Sequence, residues 1–213
     1  MFTTRALLEG KWPIAVMAAL SIATILGCPV RWAAILPLVL LVFTIAFFRD
    51  PEANVPADVK LIVAPATGNI VEVKTVNESR FLGGEATMVA IFLSVFDVHV
   101  QRAPIGGTIR LVQYNRGRFL DARNPDASVK NENRVVGIES VDGFRVTVRQ
   151  ISGLIARRIV GWAGQGAAVA RGERLGMIRF GSRVELFVPA GTEIAVKAGD
   201  YARGGETVIA RRT

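Results

Sequence analysis

The sequence predicts an all-β domain, a compact barrel or sandwich, carried behind an N-terminal hydrophobic helical hairpin. Three observations lead there. Residues 12–48 hold a single charge, Arg31. Beyond residue 58, short runs rich in Val, Ile and Phe recur between Gly, Pro and Asn. Nothing in that second part repeats apolar residues with the long 3.6-residue period of an amphipathic helix.

The hairpin comes first. Trp12–Val30 is 19 uncharged residues and Trp32–Phe48 is 17, each near the ~20 a helix needs to cross a bilayer core. A short Gly27–Arg31 connection separates them. This reads as two transmembrane helices, or as a shallower hairpin set in one leaflet. Trp12 and Trp32 stand at the ends, where indole rings favour the lipid interface. Arg5 and Lys11 precede the first segment and Arg49 follows the second, which places both ends, and the domain behind them, in the cytoplasm. A cleaved signal peptide fits poorly, because no small-residue cleavage site is evident and a second apolar segment follows at once. A hairpin buried in a protein core is the remaining alternative. The lone cysteine, Cys28, excludes an internal disulfide and suits packing or lipid contact. Pro51 and Pro56 mark a linker, so the expected division is residues 1–50 as anchor, with segments at about 12–30 and 32–48, and residues 51–213 as the β-rich domain.

The strands follow in order: 61–64, 69–76, 86–93, 108–114, 144–151, 154–162, 184–188 and 193–196. Several alternate strictly, as in Ile70-Val71-Glu72-Val73-Lys74, the period-two mark of a half-buried strand. Residues 164–176 and 198–209 share a glycine-cornered turn followed by a strand. That unit is similar to the repeated element in the hybrid barrel of biotinyl and lipoyl carrier domains, although no Met-Lys pair is present to be modified. Residues 115–133 break the rhythm with a long polar loop holding Arg116, Arg118, Arg123 and Lys130, either merely solvated or placed to receive a phosphate.

Composition narrows the chemistry. Net charge is +8, of which residues 51–213 carry +6, so anionic partners are favoured. Nucleic acid is set aside because no aromatics interleave with the basic strands. With one histidine and one cysteine, a structural zinc site is excluded. That histidine, His99, lies in Phe96-Asp97-Val98-His99-Val100-Gln101-Arg102-Ala103-Pro104. If the stretch is extended, Asp97, His99 and Gln101 share a face, and a carboxylate neighbour favours imidazolium and orients the ring. A hydrogen-bonded surface histidine is the plain alternative. Near the C-terminus stands Arg179-Phe180-Gly181-Ser182-Arg183. By itself a Gly-Ser pair is a turn before a strand, and it lacks the Gly-x-Ser-x-Gly form of a hydrolase elbow.

Taken together, these stretches resemble the short bacterial and archaeal branch of the phosphatidylserine decarboxylases. The match rests on 96–104, on Gly117 and Phe119 leading to Asn131-Glu132-Asn133-Arg134, on Gly172-Glu173-Arg174-Leu175-Gly176-Met177-Ile178-Arg179-Phe180-Gly181-Ser182-Arg183, and on the apolar N-terminal hairpin. The resemblance implies self-cleavage between Gly181 and Ser182 into chains 1–181 and 182–213, which stay together as a heterodimer, with Ser182 itself converted into the cofactor, a covalent pyruvoyl (pyruvate) group. Phosphatidylserine would then lose carbon dioxide through a Schiff base to that group, giving phosphatidylethanolamine. His99 is the expected proton donor and base, with Asp97 orienting it. Arg102, Arg118 and Asn131 are the candidate substrate-binding residues. No metal is implied. Partners would be the anionic phospholipid and the cell membrane, with the catalytic domain on its cytoplasmic side.

Two departures matter. The family usually has Pro-Ala-Asp-Gly in an early strand, with its Asp assisting self-cleavage. Here Pro65-Ala66-Thr67-Gly68 places Thr67 in the acidic position. Longer members carry a second histidine where this chain has Arg102. A second expectation therefore stands beside the first: a membrane-tethered β-barrel that binds anionic lipid and never processes itself.

Overall fold

The computed structural model describes residues 4–27, 30–124, 126–154, 158–179 and 181–212. The chain forms two compact units, Met1–Glu52 and Ala53–Thr213.

In the first unit, α1 (Thr4–Gly27) is followed by a 3-10 turn (Arg31–Ala34) and α2 (Ile35–Phe47). Among the described residues, one helix, the 23 residues Arg5–Gly27 with a mean hydropathy of 1.4, is long and apolar enough to cross a membrane. The second expected span is shorter: α2 has 13 residues, or roughly 20 Å at 1.5 Å per residue, against a hydrocarbon core of about 30 Å. Part of its apolar run is spent in the 3-10 turn, which Ala33 closes by donating its N–H to the Val30 carbonyl at 3.0 Å. The two ends meet at Gly10, where a β-carbon would come within 2.5 Å of the Phe48 ring. Trp12 and Trp32 are 72% and 75% exposed, as interfacial indoles would be. Cys28 and Pro29 lie outside the described residues.

The second unit is almost entirely β. Its strands are β1 (Leu61–Val63), β2 (Gly68–Glu78), β3 (Gly84–Leu93), β4 (Val100–Arg102), β5 (Gly107–Asn115), β6 (Asn133–Glu139), β7 (Arg145–Ile151), β8 (Ile159–Gly161), β9 (Ala168–Val169), β10 (Arg174–Ile178), β11 (Ser182–Pro189), β12 (Glu193–Ile194), β13 (Tyr201–Ala202) and β14 (Val208–Arg211). One short helix, α3 (Ala127–Lys130), interrupts the polar loop. The large sheet runs β13-β2-β3-β11-β7-β6-β5-β9, and two three-stranded sheets run β1-β14-β12 and β4-β10-β8. The all-β expectation is borne out. The two glycine-cornered segments are alike in backbone as well: Gly166 and Gly172 in one, Gly199 and Gly205 in the other, all have positive φ. Each second glycine donates its N–H to an alanine carbonyl, Gly172 to Ala103 and Gly205 to Ala64, both at 2.8 Å.

Strand β11 organises the large sheet. It pairs with β3 from Ser182↔Leu93 to Pro189↔Ala86 and with β7 from Arg183↔Ile151 to Phe187↔Thr147. Val184, Leu186 and Val188 face a core that includes Ile91, Leu93, Val146 and Val148. On the other face, Glu185 is fully buried. It accepts from Arg183 Nε at 2.8 Å, from Ser128 Oγ at 2.5 Å and from Arg149 Nε at 2.7 Å, while Arg183 reaches Glu72 at 2.7 Å. A carboxylate so enclosed is tolerable only with its cations in place. Glu185→Ala is therefore expected to lower stability by roughly 3–5 kcal/mol, the cost of breaking a buried pair, measured by chemical denaturation followed by circular dichroism. A loss below about 1 kcal/mol would mean that the two guanidiniums find other partners.

Candidate active site

Ser182 opens β11 and, by the alternation of the strand, projects to the same face as Val184. It is fully buried, and its hydroxyl has no hydrogen-bond partner among the described residues. Leaving a buried hydroxyl unpaired costs about 1–3 kcal/mol, so the position is held against a local penalty. The preceding Gly181 has φ +65°, and no atom would crowd a β-carbon there. Gly181 is thus required by backbone angle, not by space.

His99 lies at the end of the turn that follows β3. It is fully buried. Its Nδ1 is 2.9 Å from the Asp97 main-chain carbonyl, and Gly181 N–H donates to its Nε2 at 3.3 Å. A carbonyl only accepts and an amide N–H only donates. Nδ1 must therefore carry the proton and Nε2 the lone pair, the neutral tautomer. This corrects the extended reading of 96–104. Ser94–Asp97 is a turn, closed by Asp97 N–H donating to the Ser94 carbonyl at 3.0 Å. The Asp97 carboxylate accepts from Ser94 N–H at 2.8 Å and from Tyr201 O–H at 2.7 Å. It fixes the turn, and the carbonyl of the same residue orients the imidazole.

Behind His99 runs a buried polar chain. Arg134 Nη1 donates to Gln150 Oε1, Gln150 Nε2 to Gln101 Oε1, and Gln101 Nε2 to the His99 carbonyl, each at 2.8 Å. Arg134 Nη2 also donates to the Ala163 carbonyl at 2.6 Å. Burial pulls the Arg134 guanidinium below its ordinary value. All the dipoles of the chain point the same way, so each bond polarises the next. Glycine makes the room: a β-carbon on Gly161 would stand 2.6 Å from the guanidinium carbon of Arg134.

The likeness to known proteins spans the stretch of chain that holds this constellation. The family model described as phosphatidylserine decarboxylase matches residues 40–210. The chain belongs to the phosphatidylserine decarboxylase family. It is 43% identical over 201 residues to a phosphatidylserine decarboxylase proenzyme of Symbiobacterium thermophilum, covering 94% of this chain and 93% of that protein. Identity to the proenzyme of Carboxydothermus hydrogenoformans is 43% over 205 residues, or 95% and 94% of the two chains. To that of Trichlorobacter lovleyi it is 47% over 178 residues, or 84% and 80%.

The structure brings Ser182, Gly181, His99 and Asp97 together. The other candidates of this decarboxylase-family chain are engaged in structural contacts or left at the surface. Asn131 is 1% exposed. Its amide donates to the Leu120 and Ser152 carbonyls and accepts from Leu120 N–H. It ties the polar loop down with three of its four hydrogen-bonding positions, both amide hydrogens among them. Arg102 is 5% exposed and donates to the Gly172 carbonyl at 2.9 Å, a link between β4 and a turn. Arg118 alone is exposed; only its main chain is engaged, in a bridge to Asn131. Thr67 Oγ1 accepts from Gly204 N–H at 2.9 Å. Phe180 lies outside the described residues. Among the described residues, no three His, Cys, Asp or Glu side chains gather to hold a metal ion.

Two residues escaped the sequence reading. The pairing Arg183↔Ile151, carried two residues further, sets Ser152 opposite Ser182 and Gly153 opposite Gly181. Ser152 is also fully buried with an unpartnered hydroxyl. In sequence, Ser152-Gly153 looks like an ordinary turn; only its place after the alternating run 144–151 hints at a strand end beside the site. Ser152→Ala deletes an unpaired buried hydroxyl and leaves a cavity of one atom. Stability is expected to hold within about 1 kcal/mol of wild type or to rise, read as the thermal midpoint.

Proposed function

We propose that this protein decarboxylates phosphatidylserine to phosphatidylethanolamine, using a pyruvoyl group made by cutting itself between Gly181 and Ser182. One observation carries the reading: the buried, unpartnered Ser182 hydroxyl follows a positive-φ glycine whose N–H rests on the lone pair of a buried neutral His99. The proenzyme names of the relatives support it.

The cut balances with groups that the chain already holds. The Ser182 hydroxyl attacks the Gly181 carbonyl carbon and gives up its proton to a base. The C–N bond breaks, freeing the amine of residue 182 and leaving Gly181 esterified to Ser182 Oγ. Loss of the Ser182 α-proton expels the Gly181 carboxylate, which ends chain 1–181. The dehydroalanine left at 182 shifts to an imine, water hydrolyses it, and ammonia leaves. A pyruvoyl group then caps chain 182–213. A free hydroxyl is a weak nucleophile without a base. Thr67 cannot serve as a carboxylate, and its oxygen is already engaged with Gly204. We therefore give the role to His99 Nε2, which takes the hydroxyl proton on exchanging its Gly181 contact for Ser182.

The site suits the group. Ser152 offers a second unpartnered hydroxyl directly across the strands, able to donate to a ketone or to a carboxylate. Once formed, the pyruvoyl group supplies a conjugated ketone that condenses with the substrate amine and takes up the electrons left as carbon dioxide departs. His99, protonated, returns a proton to the substrate carbon. We assign the exposed Arg118 to the anionic head group. The apolar pair α1 and α2 holds the protein at the membrane as a hairpin that enters and leaves on one side, and its flanking cations Arg5, Lys11 and Arg49 put the catalytic unit on the cytoplasmic side.

Ser182→Ala is expected to run as one uncut, inactive chain in denaturing electrophoresis, where wild type gives pieces of 181 and 32 residues, the smaller one reducible by borohydride. A wild-type chain found whole would leave the uncut lipid-binding barrel, which Thr67 favours. His99→Ala is expected to lower turnover of any cut protein by about 10²–10⁴-fold, the usual share of a positioned acid or base; unchanged turnover would remove its role.

A further inference from the structure

Gly153 stands against the bond to be cut. A β-carbon built on it would overlap the Gly181 carbonyl oxygen, well inside the 3.0 Å that real β-carbons keep, and would lie 3.2 Å from the carbonyl carbon. Gly153 takes an ordinary φ, because its angle is not among the positive ones. The two glycines thus have opposite reasons. Gly181 needs an angle that other residues rarely adopt, with open space around its Cα. Gly153 needs space and no special angle.

The floor under Gly153 is also built. Ser152 N–H donates to the Glu132 carbonyl at 2.9 Å, and Asn131 Nδ2 donates to the Ser152 carbonyl at 2.8 Å. Asn131 is held in turn by Leu120. Gly117 lets the loop pass close by, since a β-carbon there would meet Asn131 at 2.5 Å. The end of β7 is therefore fixed before it meets the scissile carbonyl.

We propose that Gly153 is a positioning residue for self-cleavage: its bare α-carbon seats the Gly181 carbonyl so that the carbon presents its face to the Ser182 hydroxyl. This rests on the cut falling at 181/182. As the carbonyl carbon turns tetrahedral, its oxygen swings and takes up negative charge, and only a residue without a β-carbon leaves that path clear. A methyl at 153 displaces the oxygen, and displacements of about 1 Å at a reacting centre cost on the order of a hundredfold in rate. Once the bond is severed, the Gly181 carboxylate is free to move, so the requirement belongs to maturation and not to turnover.

The test follows cutting of the full-length chain in detergent over time, by denaturing electrophoresis and mass spectrometry. Gly153→Ala is expected to be cut about a hundredfold more slowly than wild type. Gly137→Ala, which crowds a strand glycine against the Phe81 ring, is expected to be cut at the wild-type rate. The cut fraction of Gly153→Ala, once formed, should decarboxylate as wild type does. Wild-type cutting in Gly153→Ala overturns the proposal and leaves the pyruvoyl reading intact. A wild-type chain that is never cut sinks both. Should circular dichroism show Gly153→Ala unfolded, the Ser182→Ala precursor with carbon-13 at the Gly181 carbonyl and the Gly153 α-carbon decides. A strong magnetisation-transfer peak between the two carbons is expected, and its absence overturns the proposal.

Discussion

Strand β11 is hydrogen-bonded along both edges, to β3 and to β7, and the bond of interest precedes its first residue. That double pairing is the constraint from which the site follows. A central strand cannot shift by one residue without turning its core face outward, and here the core face carries Val184, Leu186 and Val188. The register that buries those three also buries Ser182 beside Leu93. It sets Ser152 and Gly153 opposite the scissile pair. The enclosed Glu185, bonded to Arg149 across the strands and to Arg183 along its own, penalises any slip from the other face.

His99 is held by main chain instead of by charge. Its Nδ1 meets a carbonyl and its carbonyl meets Gln101, the end of a relay that starts at Arg134. A carboxylate on Nδ1 would stabilise imidazolium and so make Nε2 more basic. A carbonyl fixes the same tautomer with less pull toward the cation. The Asp97 carboxylate, turned toward Ser94 and Tyr201, keeps the turn rigid without charging the ring.

The β-rich architecture was legible because it rests on local signals. Alternation in 69–76 and 144–151 marks strands wherever one face is buried, and glycines at 166, 172, 199 and 205 mark corners. Strand β6 was missed, since Asn133-Arg134 continues a polar loop by composition, yet Arg134 turns inward to Gln150 and Ala163. The second apolar run divides into a 3-10 turn and α2, a division hydropathy does not show because it counts residues and not the helical turns they form. At the site, Ser182 and His99 were found through a family likeness, not through spacing; 83 positions separate them. Asn131 shows the limit most plainly. A polar residue in a basic loop suggests a ligand, but both its amide hydrogens and one lone pair of its oxygen are spent on Leu120 and Ser152, partners 11 and 21 residues away.

If the chain severs itself at 181/182 as proposed, it must stay assembled afterwards, and the topology would meet that need without a covalent link. Residues 182–213 contribute β11, β12, β13 and β14. Of these, β11 is enclosed by β3 and β7, β13 pairs with β2, and β14 pairs with β1. The short piece is therefore woven into two sheets by three separate strands, each bonded to the long piece. Its buried apolar residues, Val184, Leu186, Val188, Ala202, Ile209 and Ala210, belong to the same core as Ile62, Ile91 and Val148. Leaving that core would expose them all at ~25 cal/mol per Å² of apolar surface, while cutting one peptide bond frees only the ends at 181 and 182. Arg183, bonded to both Glu72 and Glu185, pins the new terminus one residue behind the reactive group. The cut can thus change the chemistry of residue 182 without loosening the strand that holds it.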